Sequence, residues 1–149
     1  KAEIYALDFS PEMIKYAKKK AKQHKIKKIK FFVGDAQKLP FENSFFDSVI
    51  CTALLHCIPT KTARKKILKE LYRVLKPKAL AKISVWNKNS TRFKKKKKED
   101  FINWRDKGKR YYYFYTEDEI KKELEQAGFK IKSIIAGVHF PNITLVVGK

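Results

Sequence analysis

At 149 residues and 44% hydrophobic content, the chain has the size of one domain and enough apolar residues for a core, which excludes disorder as the default. No run of about 18 apolar residues occurs, so no transmembrane helix is expected, and the opening Lys1-Ala2-Glu3-Ile4 lacks a signal-peptide layout. The 36 basic residues against 15 acidic ones leave a net charge of +21, which attracts polyanions and makes nucleic acid the natural partner; a lysine-rich compositional bias is the alternative.

Glu3-Ile4-Tyr5-Ala6-Leu7 is predicted as a short strand ending at Asp8. Ser10 then suits an N-cap, Pro11 the first helical position and Glu12 the positive end of the helix dipole. Met13, Ile14, Ala17 and Ala21 are spaced for the inward face, and lysines cover the rest. The next strand, Lys30 to Val33, completes a βαβ unit with a parallel pair. Asp8 and Asp35 therefore end neighbouring parallel strands, where an acid suits the hydroxyls of a ribose. Each has a local alternative: Asp8 helping to cap its helix, Asp35 capping a turn.

The stretch from Phe31 to Thr52 organises the chain. It reads as a strand ending at Gly34-Asp35, a loop through Leu39-Pro40-Phe41, and a buried strand from Phe46-Asp47 to Cys51. Two such strands side by side would put Asp35 and Thr52 at the carboxyl edge of an open α/β sheet, where ligands bind. A carboxylate there accepts two donors at once. Cys51 and Cys57 read as free thiols in an apolar run, without metal-ligand spacing to His56, and fit a cytoplasmic location. His56 among apolar residues is either a base or a packed histidine.

Thr60 suits a cap for a helix from Lys61 to Leu75, with Ala63, Ile67, Leu68, Leu71, Val74 and Leu75 inward. Arg64, Lys65, Lys66, Lys69 and Arg73 are expected to face out, and Lys76-Pro77 to stop the helix before a strand from Leu80 to Trp86. From Asn87 to Lys109 the pattern breaks. The run Phe93-Lys94-Lys95-Lys96-Lys97-Lys98, with Phe101, Trp104 and Tyr111 to Tyr113, suits phosphates and unpaired bases; a solvated loop is the alternative. Its length makes residues 87–115 a candidate lid within one domain of residues 1–149. Thr116-Glu117-Asp118-Glu119 is a capping box, Gly128 ends that helix, and Phe129 to Ile135 with Asn142 to Val147 suit an antiparallel hairpin. The predicted sheet is mostly parallel, with one reversed edge strand.

Leu7-Asp8-Phe9-Ser10-Pro11-Glu12-Met13, Gly34-Asp35-Ala36-Gln37-Lys38-Leu39-Pro40-Phe41, the stretch from Phe46 to His56, and Glu70-Leu71-Tyr72-Arg73-Val74-Leu75-Lys76-Pro77 resemble the class I S-adenosylmethionine-dependent methyltransferases. The resemblance implies a Rossmann-like sheet, mostly parallel with an antiparallel C-terminal hairpin, and S-adenosyl-L-methionine as cofactor. Trp86 and Arg110-Tyr111-Tyr112-Tyr113-Phe114-Tyr115 make the chain most similar to the wobble-uridine tRNA methyltransferases, with tRNA as substrate. A small-molecule methyltransferase and a non-catalytic nucleic-acid-binding module are the alternatives. By resemblance, Asp8 would hold the ribose, Phe9 lie against the adenine, and Asp35 with Ala36 take the adenine amine. Cys51 and Thr52 would line the methionine end, and Leu55, His56, Trp86, Arg92, Arg110 and Tyr112 the substrate side, with no catalytic side chain and no metal. The family's first strand and glycine-rich loop have no counterpart here, since the first glycine is Gly34. Truncation, a split gene or a second chain supplying that segment is the expectation. Relatives of this family also work with a small zinc-binding activator subunit. A further departure is Lys76-Pro77-Lys78-Ala79, where the family has glycines.

Overall fold

A computed structural model describes residues 2–103 and 108–149. It divides after Pro40 into two units, taken here one at a time.

The first unit holds β1 (Ile4–Asp8), α1 (Pro11–Gln23) and β2 (Ile29–Val33). Ser10 is extended and its hydroxyl accepts from the Met13 N–H at 3.3 Å, with Pro11 filling a position whose N–H has no helical partner. Ile14 and Ala21, seven residues apart, lie on one face and are buried. Met13, expected inward, is 53% exposed: it sits about 100° round from Ile14, outside the narrow stripe this short helix buries. β1 and β2 pair in parallel from Ile4↔Ile29 to Asp8↔Val33, and the Gly34 N–H donates to the Asp8 carbonyl at 3.0 Å. The ladder thus ends with Asp8 and Gly34-Asp35 together.

The second unit begins with β3 (Phe46–Thr52), a 3-10 turn at Leu55–Cys57, α2 (Lys61–Val74) and β4 (Leu75–Trp86). It continues with β5 (Glu99–Asn103), β6 (Lys109–Tyr113), α3 (Glu117–Gln126), β7 (Lys130–Ile135) and β8 (Asn142–Gly148). The sheet order is β3-β4-β8-β7, with β3 and β4 parallel and β8 antiparallel to both its neighbours. The hairpin forms as expected, but its reversed strand lies inside the sheet rather than at the edge. Ile143, Leu145 and Val147 of β8 are fully buried, which suits an inner strand, whereas β7 carries Lys130, Lys132 and Ser133 exposed and suits the edge.

The helix before β4 stops at Val74, and the strand begins at once rather than at Leu80. Phe46 pairs with Leu75 and Ser48 with Leu80, so the extra residues around Pro77 and the left-handed Lys78 (φ 66) are absorbed as a register shift. Ala81, Ile83 and Val85 of β4 meet the core with Ile67, Leu68 and Leu71 of α2. Two residues expected to face out turn in. Arg64 is 3% exposed, because its guanidinium donates to the Ile58 and Pro59 carbonyls at 2.9 and 3.1 Å. Arg73 is half-buried, donating to the Phe41 carbonyl at 2.8 Å and paired with Glu70 at 2.7 Å.

The segment predicted as a loop contains a hairpin, with β5 and β6 paired antiparallel from Glu99↔Tyr113 to Asn103↔Lys109. Phe93, Tyr112 and Phe114 anchor it in one buried cluster, with Trp86 and Cys57 packed against them. Trp104, expected among its aromatics, lies outside the described residues. Among the described residues, no helix is long and apolar enough to cross a membrane.

Candidate functional site

The carboxyl edge of the first unit carries two acids. Asp8 Oδ1 accepts from the Ser10 N–H at 2.9 Å. Asp35 Oδ1 accepts from the Gln37 N–H at 2.8 Å and Oδ2 from the Gln37 side-chain amide at 3.1 Å. Both local roles are therefore filled, and they hold the two carboxylates in place. They do not exhaust them, since each carboxylate oxygen accepts more than one bond. Phe9, next to Asp8, is 67% exposed, an uncommon position for so large an apolar ring. Ala36 is half-buried beside Asp35. Two acceptors at one strand edge beside a bare ring suit a ligand with paired hydroxyls, an amine and a planar face.

In the second unit, Cys51 and Thr52 close β3, and Ala53 then turns left-handed at φ 57, strained for a residue with a Cβ. Both cysteines are free. Burial pushes the Cys51 thiol up to about 12, so it stays protonated and is no nucleophile. Burial also raises the Cys57 thiol, against a smaller opposing effect of the Arg110 charge. Thr52 is exposed, while Leu55 is fully buried in the turn that follows.

His56 is 3% exposed and stacks on Trp86 at 4.8 Å and 13°. Trp86 in turn stacks on Tyr112 at 4.2 Å and on Phe93 at 4.8 Å. Burial, reinforced by the Arg110 charge, lowers the His56 pKa to about 4, so the ring is neutral at physiological pH. Its Nδ1 has no hydrogen-bond partner. Arg92 is exposed, its guanidinium 5.2 Å from the Phe93 ring, and Arg110 is exposed on β6. His56, Trp86 and Tyr112 are thus brought into one aromatic stack, with Arg92 beside it through Phe93.

Sequence reasoning missed a neighbouring group. The Arg64 guanidinium lies 4.0 Å from the Tyr113 ring and 5.7 Å from that of Tyr115. The Tyr115 hydroxyl donates to buried Glu123 at 3.2 Å, and the Tyr113 hydroxyl to Glu119 at 3.0 Å. The signal was the alternation from Tyr111 to Tyr115, which in an extended segment sends odd and even residues to opposite sides. Tyr112 and Phe114 take one side; Tyr113 and Tyr115 take the other and meet Arg64.

A βαβ unit with acids at its carboxyl edge, and an α/β sheet closed by an antiparallel hairpin, define a Rossmann-like nucleotide-binding class. The model of one family, described as a methyltransferase domain, matches residues 1–83 of the 149, and the chain belongs to that family. A protein of Encephalitozoon cuniculi named as a methyltransferase is 32% identical over 108 residues, covering 66% of this chain and 51% of that one. Demethylmenaquinone methyltransferase of Geobacillus is 36% identical over 75 residues, 50% of this chain and 31% of that one. The tRNA (carboxymethyluridine(34)-5-O)-methyltransferase of Arabidopsis thaliana is 44% identical over 54 residues, 36% and 13% respectively. The chain spans about half the length of the first of these relatives, and less of the others. A solved SAM-dependent methyltransferase of Methanosarcina mazei superposes with a TM-score of 0.83 at 21% identity, covering 99% of this chain and 82% of that one.

S-adenosylmethionine is the cofactor of this fold, and the first unit's residues fit it. The Asp8 and Asp35 carboxylates can accept from hydroxyls and an amine, and the exposed Phe9 ring can meet a purine face.

Proposed function

We propose that the protein is an S-adenosylmethionine-dependent methyltransferase acting on tRNA, at the side chain of a wobble uridine. Asp8, Phe9, Asp35 and Ala36 hold the cofactor's adenosine. Bound there, the cofactor supplies an electrophilic methyl group. The chain's residues position the acceptor, and an acidic acceptor such as a carboxymethyl group needs no strong base, in keeping with a neutral His56. Arg92 and Arg110 offer positive charge and the half-buried Trp86 a stacking face on the substrate side, while His56, Tyr112 and Leu55, which are buried, pack behind them as support rather than lining it.

The observation that carries the tRNA reading is the basic, aromatic hairpin in a chain of net charge +21, with Lys94 to Lys97 exposed before β5 and Phe101 63% exposed upon it. The Arabidopsis match supports the same substrate. The matches to demethylmenaquinone methyltransferases, over half the chain, favour a second reading, a small-molecule acceptor. The two readings separate in one assay: tritiated methyl transfer from S-adenosylmethionine to unmodified and hypomodified tRNA, and to a demethylmenaquinol analogue. Label in the tRNA carries the first reading; label only in the quinol replaces it. A small zinc-binding subunit as partner is part of the proposal, tested by adding a lysate depleted of nucleic acid and asking whether transfer rises.

A further inference from the structure

The first unit has a second feature, at the end of its sheet opposite the acids. Where α1 runs out and β2 begins, a groove of about 470 Å³ is floored by apolar residues, Ile26 and Phe31 among them, and rimmed by Lys18, Lys22, Lys25 and Lys27. Lys18 and Lys22 are aligned because residues four apart share a helix face, and Lys25 follows just past the helix end. The chain closes the helix by donating from the Ile26 N–H to the Ala21 carbonyl at 2.9 Å and from the Lys25 N–H to Lys22 at 3.1 Å. That closure puts Lys25 at φ 55, a left-handed position that glycine fills more easily and that costs a side-chain-bearing residue about 1–2 kcal/mol. The residue there is a lysine, and its charge stands on the rim.

Among the described residues, none of these four ammonium groups is paired with a carboxylate, although Lys30, on β2 beside them, is paired with Glu3 at 2.9 Å. Four unneutralised cations around a concave apolar floor complement a polyanion that also carries flat, weakly polar groups. A membrane surface would meet the lysines with its phosphates but leave the recessed apolar floor unfilled. A nucleic-acid strand fits: phosphates along the lysines, a base over Phe31. We propose that this groove is an RNA-backbone site that holds the substrate at the opposite end of β2 from Asp35. It rests on the tRNA reading above and adds an anchor that the basic hairpin does not supply.

The test uses the full chain and fluorescently labelled, unmodified tRNA transcript, with anisotropy titrations between 50 and 200 mM KCl. Replacing Lys18, Lys22, Lys25 and Lys27 together by Gln should lower the slope of log K against log salt by about 3, at about 0.7 per lost phosphate contact on a single strand. The fourfold Arg variant should restore the slope. The Gln variant should keep the parent's thermal midpoint and its calorimetric response to S-adenosylmethionine. An unchanged slope in the Gln variant, with a reduced one when Lys94 to Lys98 become Ser, overturns the groove and leaves the tRNA reading standing. No salt-dependent tRNA binding by the parent overturns both. Binding of phosphatidylserine vesicles that the Gln variant loses while its tRNA slope is unchanged would make the groove a lipid site and overturn the proposal.

Discussion

His56 couples packing to pH. Its folded pKa of about 4 lies below the usual 6.5, so between those values the unfolded chain takes up a proton that the folded chain refuses. The stability this contributes is complete above pH 6.5 and is lost as the pH falls towards 4, by at most about 1.4 kcal/mol per pH unit. His56→Phe keeps a ring against Trp86 and removes that titration, so its urea midpoint should fall less than the parent's between pH 7 and 5. Parallel falls would place the acid sensitivity elsewhere. Among the described residues, Arg64 also has a buried, unpartnered nitrogen, its Nε. Arg64→Ala loses two bonds to carbonyls and the contact with the Tyr113 ring, an expected cost of about 2–4 kcal/mol in denaturant unfolding. A change near zero would make that guanidinium a surface group.

Among the elements, α3 is tied to the hairpin through one carboxylate. Glu119 accepts from the backbone N–H of Thr116, its half of the capping box, and from the Thr116 hydroxyl, and it also pairs with Lys98 and accepts from Tyr113. Burial alone would raise its pKa, but the bonds from Lys98, Thr116 and Tyr113 outweigh it and hold the carboxyl below its usual value. Glu119→Ala should therefore cost about 1–3 kcal/mol and speed amide exchange in β6 as well as in α3. Faster exchange in α3 alone would reduce Glu119 to a helix cap. At the other end, Gly128 has φ 104, and a Cβ there would meet the Tyr72 ring at 2.9 Å. Gly128→Ala should lower stability by more than the roughly 1 kcal/mol of a left-handed alanine alone, read from the thermal midpoint.

At the scale of the molecule, two βα pieces and a closing hairpin were legible from capping residues and apolar spacing: Ser10-Pro11, Thr60 and Thr116-Glu119 each mark a helix start that the structure contains. The place of the reversed strand was not legible, because antiparallel pairing fixes which strand β8 joins on one side and says nothing of the neighbour beyond. The basic hairpin was hidden for a different reason: its lysines mask the alternation that carries it, and its anchor Phe114 packs against Trp86, well before it in sequence. The Asp8 and Asp35 edge was readable because parallel pairing brings the two strand ends level, as Asp8↔Val33 and the Gly34 N–H bond bear out. Arg64 was misplaced because helical periodicity allots a charged residue to the outer face, whereas the Ile58 and Pro59 carbonyls and the distant Tyr113 ring draw it in.

The claim on which all else depends is that the two strand-end acids grip the cofactor's adenosine. Isothermal titration of S-adenosylmethionine into the chain, and into its Asp8→Ala and Asp35→Ala variants, tests it directly. Saturable binding by the parent, weakened by about 1–3 kcal/mol in each variant, is the predicted result. No heat from the parent at millimolar cofactor, or equal affinity in all three proteins, would contradict it.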